Sequence, residues 1–221
     1  MHFIIAHNMA YADKIIDYPK FYLGLIAPDA YHSRKVTPTG ESAATGRQGA
    51  ELSDRDITHL TVKNTDDWKN KALRIIKTNN AGSHKSFYAG YGIHILTDIY
   101  WDEIIYKPFL QRFANATAYH DASNPTPRQA YMSDMTKIDL WLYRTCKYKD
   151  EIWSYLSCGE CFDVQDLVTS DEIDAERQLT LSWYDAKKTL DIDNFIYITP
   201  GQATDFIHEA TAGIDDLLII L

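Results

Sequence analysis

From Arg128 to Thr199 the chain contains no proline and a single glycine, Gly159. Nothing else in the sequence constrains the fold as strongly, because so long a run without breakers or turn-formers reads as two or three packed helices. The whole chain shares this economy. Ten Gly and seven Pro in 221 residues are about 8%, against a usual ~12%. Three further stretches read as helical: about 8–27, divided at Pro19; Asp66 to about Thr78; and about Ser83–Ala116, kinked or broken near Pro108. In the second, Trp68, Ala72, Leu73, Ile75 and Ile76 share one face. Thr199 before Pro200 predicts a capped last helix over about 201–213. Strand-like alternation is nowhere sustained. The fold class expected is all-α, a single multi-helix domain over 1–221 with one long polar loop. Its site lies within 1–100, and helices from 127–221 complete the bundle.

Charge and cysteine content narrow the function classes. With 22 Lys+Arg against 31 Asp+Glu the net charge is −9, which argues against long nucleic acids and anionic membranes as partners. Three cysteines, Cys146, Cys158 and Cys161, in a chain large enough for a real core suit a reducing compartment. No signal peptide is legible at the start and no apolar run approaches ~20 residues, so a cytoplasmic protein without a transmembrane segment is expected. Cys158-Gly159-Glu160-Cys161 is a bare C-x-x-C with no second pair to complete a zinc site. No P-loop, dinucleotide-binding or serine-elbow motif occurs.

Residues 33–56 hold three glycines, one proline and many small polar residues, without apolar periodicity. A loop of that length inside a folded domain suggests a functional role such as a lid.

The chemistry concentrates in spaced motifs. In Gly90-Tyr91-Gly92-Ile93-His94-Ile95-Leu96-Thr97-Asp98, His94 and Asp98 stand at i and i+4 of an apolar helix, about 5–6 Å apart at Cβ. The pair fits two ligands of one divalent cation, or a core pair in which Asp98 simply accepts from His94. Phe21-Tyr22-Leu23-Gly24-Leu25-Ile26-Ala27-Pro28-Asp29 ends an apolar helix on an acid, which is a ligand or an ordinary Asx cap. Thr58-His59-Leu60 and His7 add isolated imidazoles. Jointly, Asp29, His59, His94 and Asp98 form a nitrogen and oxygen donor set suited to zinc.

These motifs, F-Y-L-G-L-I-A-P-D, T-H-L and G-Y-G-I-H-I-L-T-D, resemble those of zinc-dependent phospholipase C-type proteins. That all-helical superfamily also includes fungal single-strand nucleases, and the resemblance covers roughly residues 1–145. It implies one zinc held by Asp29, His59, His94 and Asp98, with Asp98 bridging to a second metal that takes His7. In the secreted enzymes the N-terminal amine is also a ligand; this chain departs, beginning with Met1. The third-metal pattern, H…H-x-x-x-E, is missing after Asp98, so the cofactor expected is one or two zinc ions. Asp134, or Asp139, would add an oxygen ligand or support a ligand histidine, unless the two acids only solvate a helix face.

Zinc in such a site suits phosphoester hydrolysis. Asp29 would orient or deprotonate the attacking water, and Arg34, Lys35 or His32 would meet the phosphate. The substrate expected is a phospholipid headgroup or a small phosphate ester, with Tyr22, Tyr31, Tyr88, Tyr91 and Trp101 available as an aromatic rim or as core. Two alternatives stand beside this reading. One is a non-catalytic zinc-binding helical protein. The other is an HD-type phosphohydrolase built on His120-Asp121, although that pair sits in a loop-like context before Pro125.

Overall fold

The structure is a computed structural model that describes residues 1–33, 50, 52, 64–116, 125–187 and 189–220. It is all-α. The helices are α1 (His2–Asn8), α2 (Tyr18–Gly24), α3 (Thr65–Thr78), α4 (Lys85–Trp101), α5 (Lys107–Ala116), α6 (Pro127–Thr145), α7 (Lys149–Cys158), α8 (Ser170–Ala186) and α9 (Pro200–Ile219). Single 3-10 segments follow α1 (Ala10–Lys14) and α2 (Ala27–Ser33), and no strand occurs among the described residues. No described helix is long and apolar enough to cross a membrane.

Short polar motifs start the helices. Thr126, Thr169 and Thr199 each build a capping box, with Gln129, Glu172 and Gln202 reaching back to the cap. The threonine oxygen and the returning side chain satisfy N–H groups that the first helical turn leaves orphaned. Asp17 and Asn64 cap α2 and α3 by accepting from Lys20 and Asp67 N–H.

The two or three packed helices expected beyond Arg128 are three, α6 to α8, with connections at 146–148 and 159–169. Two other boundaries differ in detail from the sequence reading. The break expected near Pro108 is a π-helical segment, Asp102–Tyr106, in which Lys107 N–H bonds to the Asp102 carbonyl. Pro108 has no N–H for the Ile104 carbonyl, and the wider turn absorbs that loss. The last helix runs past Gly213 to Ile219. Gly213 is no C-cap: a Cβ there would lie 2.5 Å from the Tyr100 hydroxyl, so the glycine makes room for a ring of α4.

α4 is the axis of the molecule. Thirteen of its seventeen residues are buried, and it touches α1, α2, α3 and α9. Its contact with α2 is a backbone-to-backbone approach. A Cβ at Gly24 would stand 2.0 Å from the Phe87 carbonyl oxygen, and one at Gly90 would stand 2.1 Å from that of Phe21. Only two facing glycines allow it. On the other flank α3 buries Trp68, Ala72 and Ile76, while Leu73 and Ile75 of the expected face are half-buried. α8 packs on the 27–33 segment and α9 on α1. The two ends of the chain also meet, because Asp215 of α9 accepts from the Ala10 and Tyr11 N–H groups at 2.8 and 3.0 Å.

Candidate metal centre

The α2–α4 approach fixes one imidazole. Leu25 ends α2, where a helix leaves its last carbonyls without internal partners. His94, 1% exposed on α4, donates from Nδ1 to the Leu25 carbonyl at 2.7 Å. The Nε2 lone pair is thereby turned toward two carboxylates, Asp98 Oδ2 at 3.7 Å and Asp29 Oδ2 at 3.9 Å. A metal-ligating histidine shows this arrangement, with the far nitrogen held by a carbonyl and the near one facing the other donors.

A second imidazole closes the group. His2 of α1 stacks on His94 with ring centroids 4.2 Å apart and planes 7° from parallel, and its Nε2 lies 3.1 Å from Asp98 Oδ1. One ligand atom each from His2, His94 and Asp98 can be chosen so that all lie within 4.8 Å of one another. Four ligands at about 2.0–2.1 Å around a tetrahedral zinc stand about 3.3 Å apart, so the observed spacings are of the right scale. Burial foremost, then the neighbouring His94, lowers the His2 pKa and favours the neutral, coordinating form.

The group opens into a cavity of about 250 Å³. Asp29 is its most open carboxylate, its side chain 40% exposed against 22% for Asp98. Tyr131 lines the same cavity and accepts a 2.7 Å bond from Trp101 Nε1, leaving its own O–H to donate. Burial, with Asp98 adding to it against the Trp101 bond, raises the Tyr131 pKa far enough to keep that proton. Glu176 of α8 also enters the field of the site. Burial and then the charge of Asp29 push its carboxyl up to about 7, partly offset by His94.

The expected residues are thus divided. Asp29, His94 and Asp98 come together. His7 does not join them: five positions after His2 place it about 140° round α1. It pairs instead with the Tyr22 hydroxyl at 3.2 Å and stacks on Tyr148. Asp134, fully buried, accepts from the Ile196, Tyr197 and Ile198 N–H groups and anchors the approach to α9. His32 spends both ring nitrogens within its own turn, on the Asp29 carbonyl and the Tyr31 hydroxyl. His59, Arg34, Lys35, most of the 33–56 loop and the His120-Asp121 pair lie outside the described residues. Of the proposed rim, Tyr22, Tyr31 and Tyr91 are core, whereas Trp101 lines the cavity. His2 and Glu176 were not visible from sequence. Neither carries a local pattern, and each reaches the site through packing of a distant helix. Compared with known proteins, the chain matches no family model, no curated protein and no solved structure.

Proposed function

We propose that the protein is a metal-dependent phosphoester hydrolase whose cation is held by His2, Asp29, His94 and Asp98. The observation that carries the reading is the His94 tautomer. With Nδ1 committed to Leu25, Nε2 and its lone pair face two carboxylates, and a divalent cation is what reconciles three electron-rich groups at that separation. Two nitrogens and two oxygens favour zinc over magnesium or calcium. The resemblance of the motifs around Asp29 and His94 to zinc-dependent phospholipase C-type proteins, and the all-α fold, support the same assignment.

Zinc bound there would polarise a phosphoryl oxygen and make a nearby water acidic enough to ionise near pH ~7. The chain's own groups divide the remaining work. Asp98, engaged with His2 and His94, holds the site together. Asp29, the more open carboxylate, orients the attacking water and takes its proton. Tyr131, which keeps its proton, donates to a phosphoryl oxygen from the cavity wall. The P–O bond to the leaving group breaks as the bond to water forms.

Metal analysis of the purified chain, beside hydrolysis of bis(p-nitrophenyl) phosphate and p-nitrophenyl phosphate, tests this. About one equivalent of zinc is expected, with at least tenfold less retained by Asp98→Asn. Turnover should require the metal and fall by about 10²-fold or more in Asp29→Asn, with zinc affinity reduced less. Bound zinc with no turnover of either ester would replace the reading with a non-catalytic zinc-binding protein. No bound metal, and an Asp98→Asn variant unchanged, would overturn both.

A further inference from the structure

A second cavity, of about 220 Å³, lies at the opposite end of α4. Ser86 on its wall precedes His94 by eight residues and Asp98 by twelve, so about 12–18 Å of helix separates it from the metal centre. Every polar side chain on this wall offers hydrogen-bond donors: Lys14, Lys77, Lys85, Tyr11, Asn80 and Ser86. Among the described residues no carboxylate lines it, although the chain carries 31 Asp+Glu. Among the described residues none of the three lysines makes an ion pair, and Lys14 rests over the Tyr11 ring.

Two features make this more than a set of surface lysines. Ser86 is 2% exposed, and its Oγ accepts from Asp17 N–H at 3.3 Å. Its own O–H has no acceptor among the described residues and sits on the cavity wall. α4 also begins with the wrong charge. Its first turn carries Lys85 and no acid, and its cap residue, His84, makes no side-chain capping bond. The positive end of the helix dipole therefore faces a cation, an arrangement that an anion relieves. The floor of the cavity is apolar, made by Ile15, Ile76, Ala89 and Leu218.

We propose that this cavity binds the phosphate group of a phosphorylated small molecule, with the apolar floor taking part of its organic body. A phosphate monoester suits the wall because three oxygens can meet ammonium, hydroxyl and amide donors arriving from different directions. The site is independent of the metal centre and of the reaction proposed there.

The test uses the full chain, chelator-treated so that the metal centre cannot hold phosphate. Amide resonances are followed by NMR during titration with phenyl phosphate, inorganic phosphate and, as control, acetate. Saturable shifts centred on Lys77, Lys85 and Ser86 are expected, with phenyl phosphate the tightest and acetate the weakest. The Lys77→Gln/Lys85→Gln double variant should keep the wild-type helical circular dichroism and bind phenyl phosphate about 30-fold more weakly. Phosphatidylcholine vesicles doped with phosphatidic acid separate the two sources of phosphate. Co-sedimentation lost in the double variant makes the ligand a lipid headgroup. Phenyl phosphate binding without co-sedimentation makes it a soluble monoester. Shifts that do not saturate by about 10 mM phosphate, that are equal in the double variant, or that centre on Asp29 and His94 overturn the proposal.

Discussion

Gly90→Ala is the sharpest test of how the fold builds the metal centre. Two effects oppose each other. Alanine is favoured over glycine inside a helix by about 1 kcal/mol. Against this, the new Cβ would stand 2.1 Å from the Phe21 carbonyl oxygen and 3.1 Å from the Leu25 nitrogen, all backbone atoms that no rotamer change can move. Restoring an ordinary contact requires α2 and α4 to separate by more than about 1 Å. That overpacking costs about 1–3 kcal/mol. The same movement stretches the 2.7 Å bond from His94 Nδ1 to the Leu25 carbonyl past any useful length, adding about 1–3 kcal/mol for two buried groups left unpaired. The steric and hydrogen-bond losses win, for a net destabilisation of about 1–5 kcal/mol. Urea unfolding should show a lower midpoint at unchanged slope. Competition with a chromophoric chelator should show zinc affinity reduced at least tenfold, because His94 loses the contact that sets its tautomer. Gly201→Ala is the control: its Cβ would meet only Thr199 Oγ1, at 3.8 Å, and stability should be unchanged or slightly higher. A Gly90→Ala protein as stable as wild type, with unchanged zinc affinity, would refute the account of the α2–α4 approach.

Three further outcomes follow from particular contacts. Asp134→Ala removes the acceptor of three backbone N–H groups at a fully buried site and should cost about 3–5 kcal/mol in chemical denaturation, with Asp134→Asn costing about half. Glu176 holds its proton to about pH 7 in the folded chain, against 4.5 ordinarily, so folding stability is lost as pH rises between those values. In chelator, Glu176→Gln should match wild type at pH ~4 and exceed it by about 1–2 kcal/mol at pH ~8, a figure discounted for the partial exposure of the side chain. Asp215→Ala should cost about 1–2 kcal/mol and weaken zinc binding as well, since the N–H groups it accepts from follow directly on the helix that carries His2.

What the sequence made legible was local. The all-α class followed from breaker content. The start of α9 followed from Thr199-Pro200, and the near-exact span of α3 from the 3.6-residue spacing of Trp68, Ala72 and Ile76. His94, Asp98 and Asp29 stood out because each combines a polar donor with an apolar helix or its end, where an unpaired group is costly. What could not be read depends on distant packing. His2 meets Asp98 across 96 residues, and nothing in the first turn of α1 distinguishes it from His7. Glu176 gains its environment only because α8 lies on the 27–33 segment. The last helix runs past its expected end at about 213, where Gly213 makes room for Tyr100, a ring of another helix that no local pattern reveals.

The meeting of the chain's two ends bears on how the protein is made. A seven-residue helix such as α1 is far below the length that holds in water unaided, so it persists only where α4 and α9 support it. α9 is among the last parts of this sequence to be synthesised, while His2 is among the first. During translation α2, α3 and α4 can assemble and set His94 and Asp98 while the first turn still lacks its dock. The donor set is therefore completed late, when Asp215 arrives to seat residues 10–11. A nascent chain stalled before residue 200 should hold the α4 ligands in place and still bind the metal poorly.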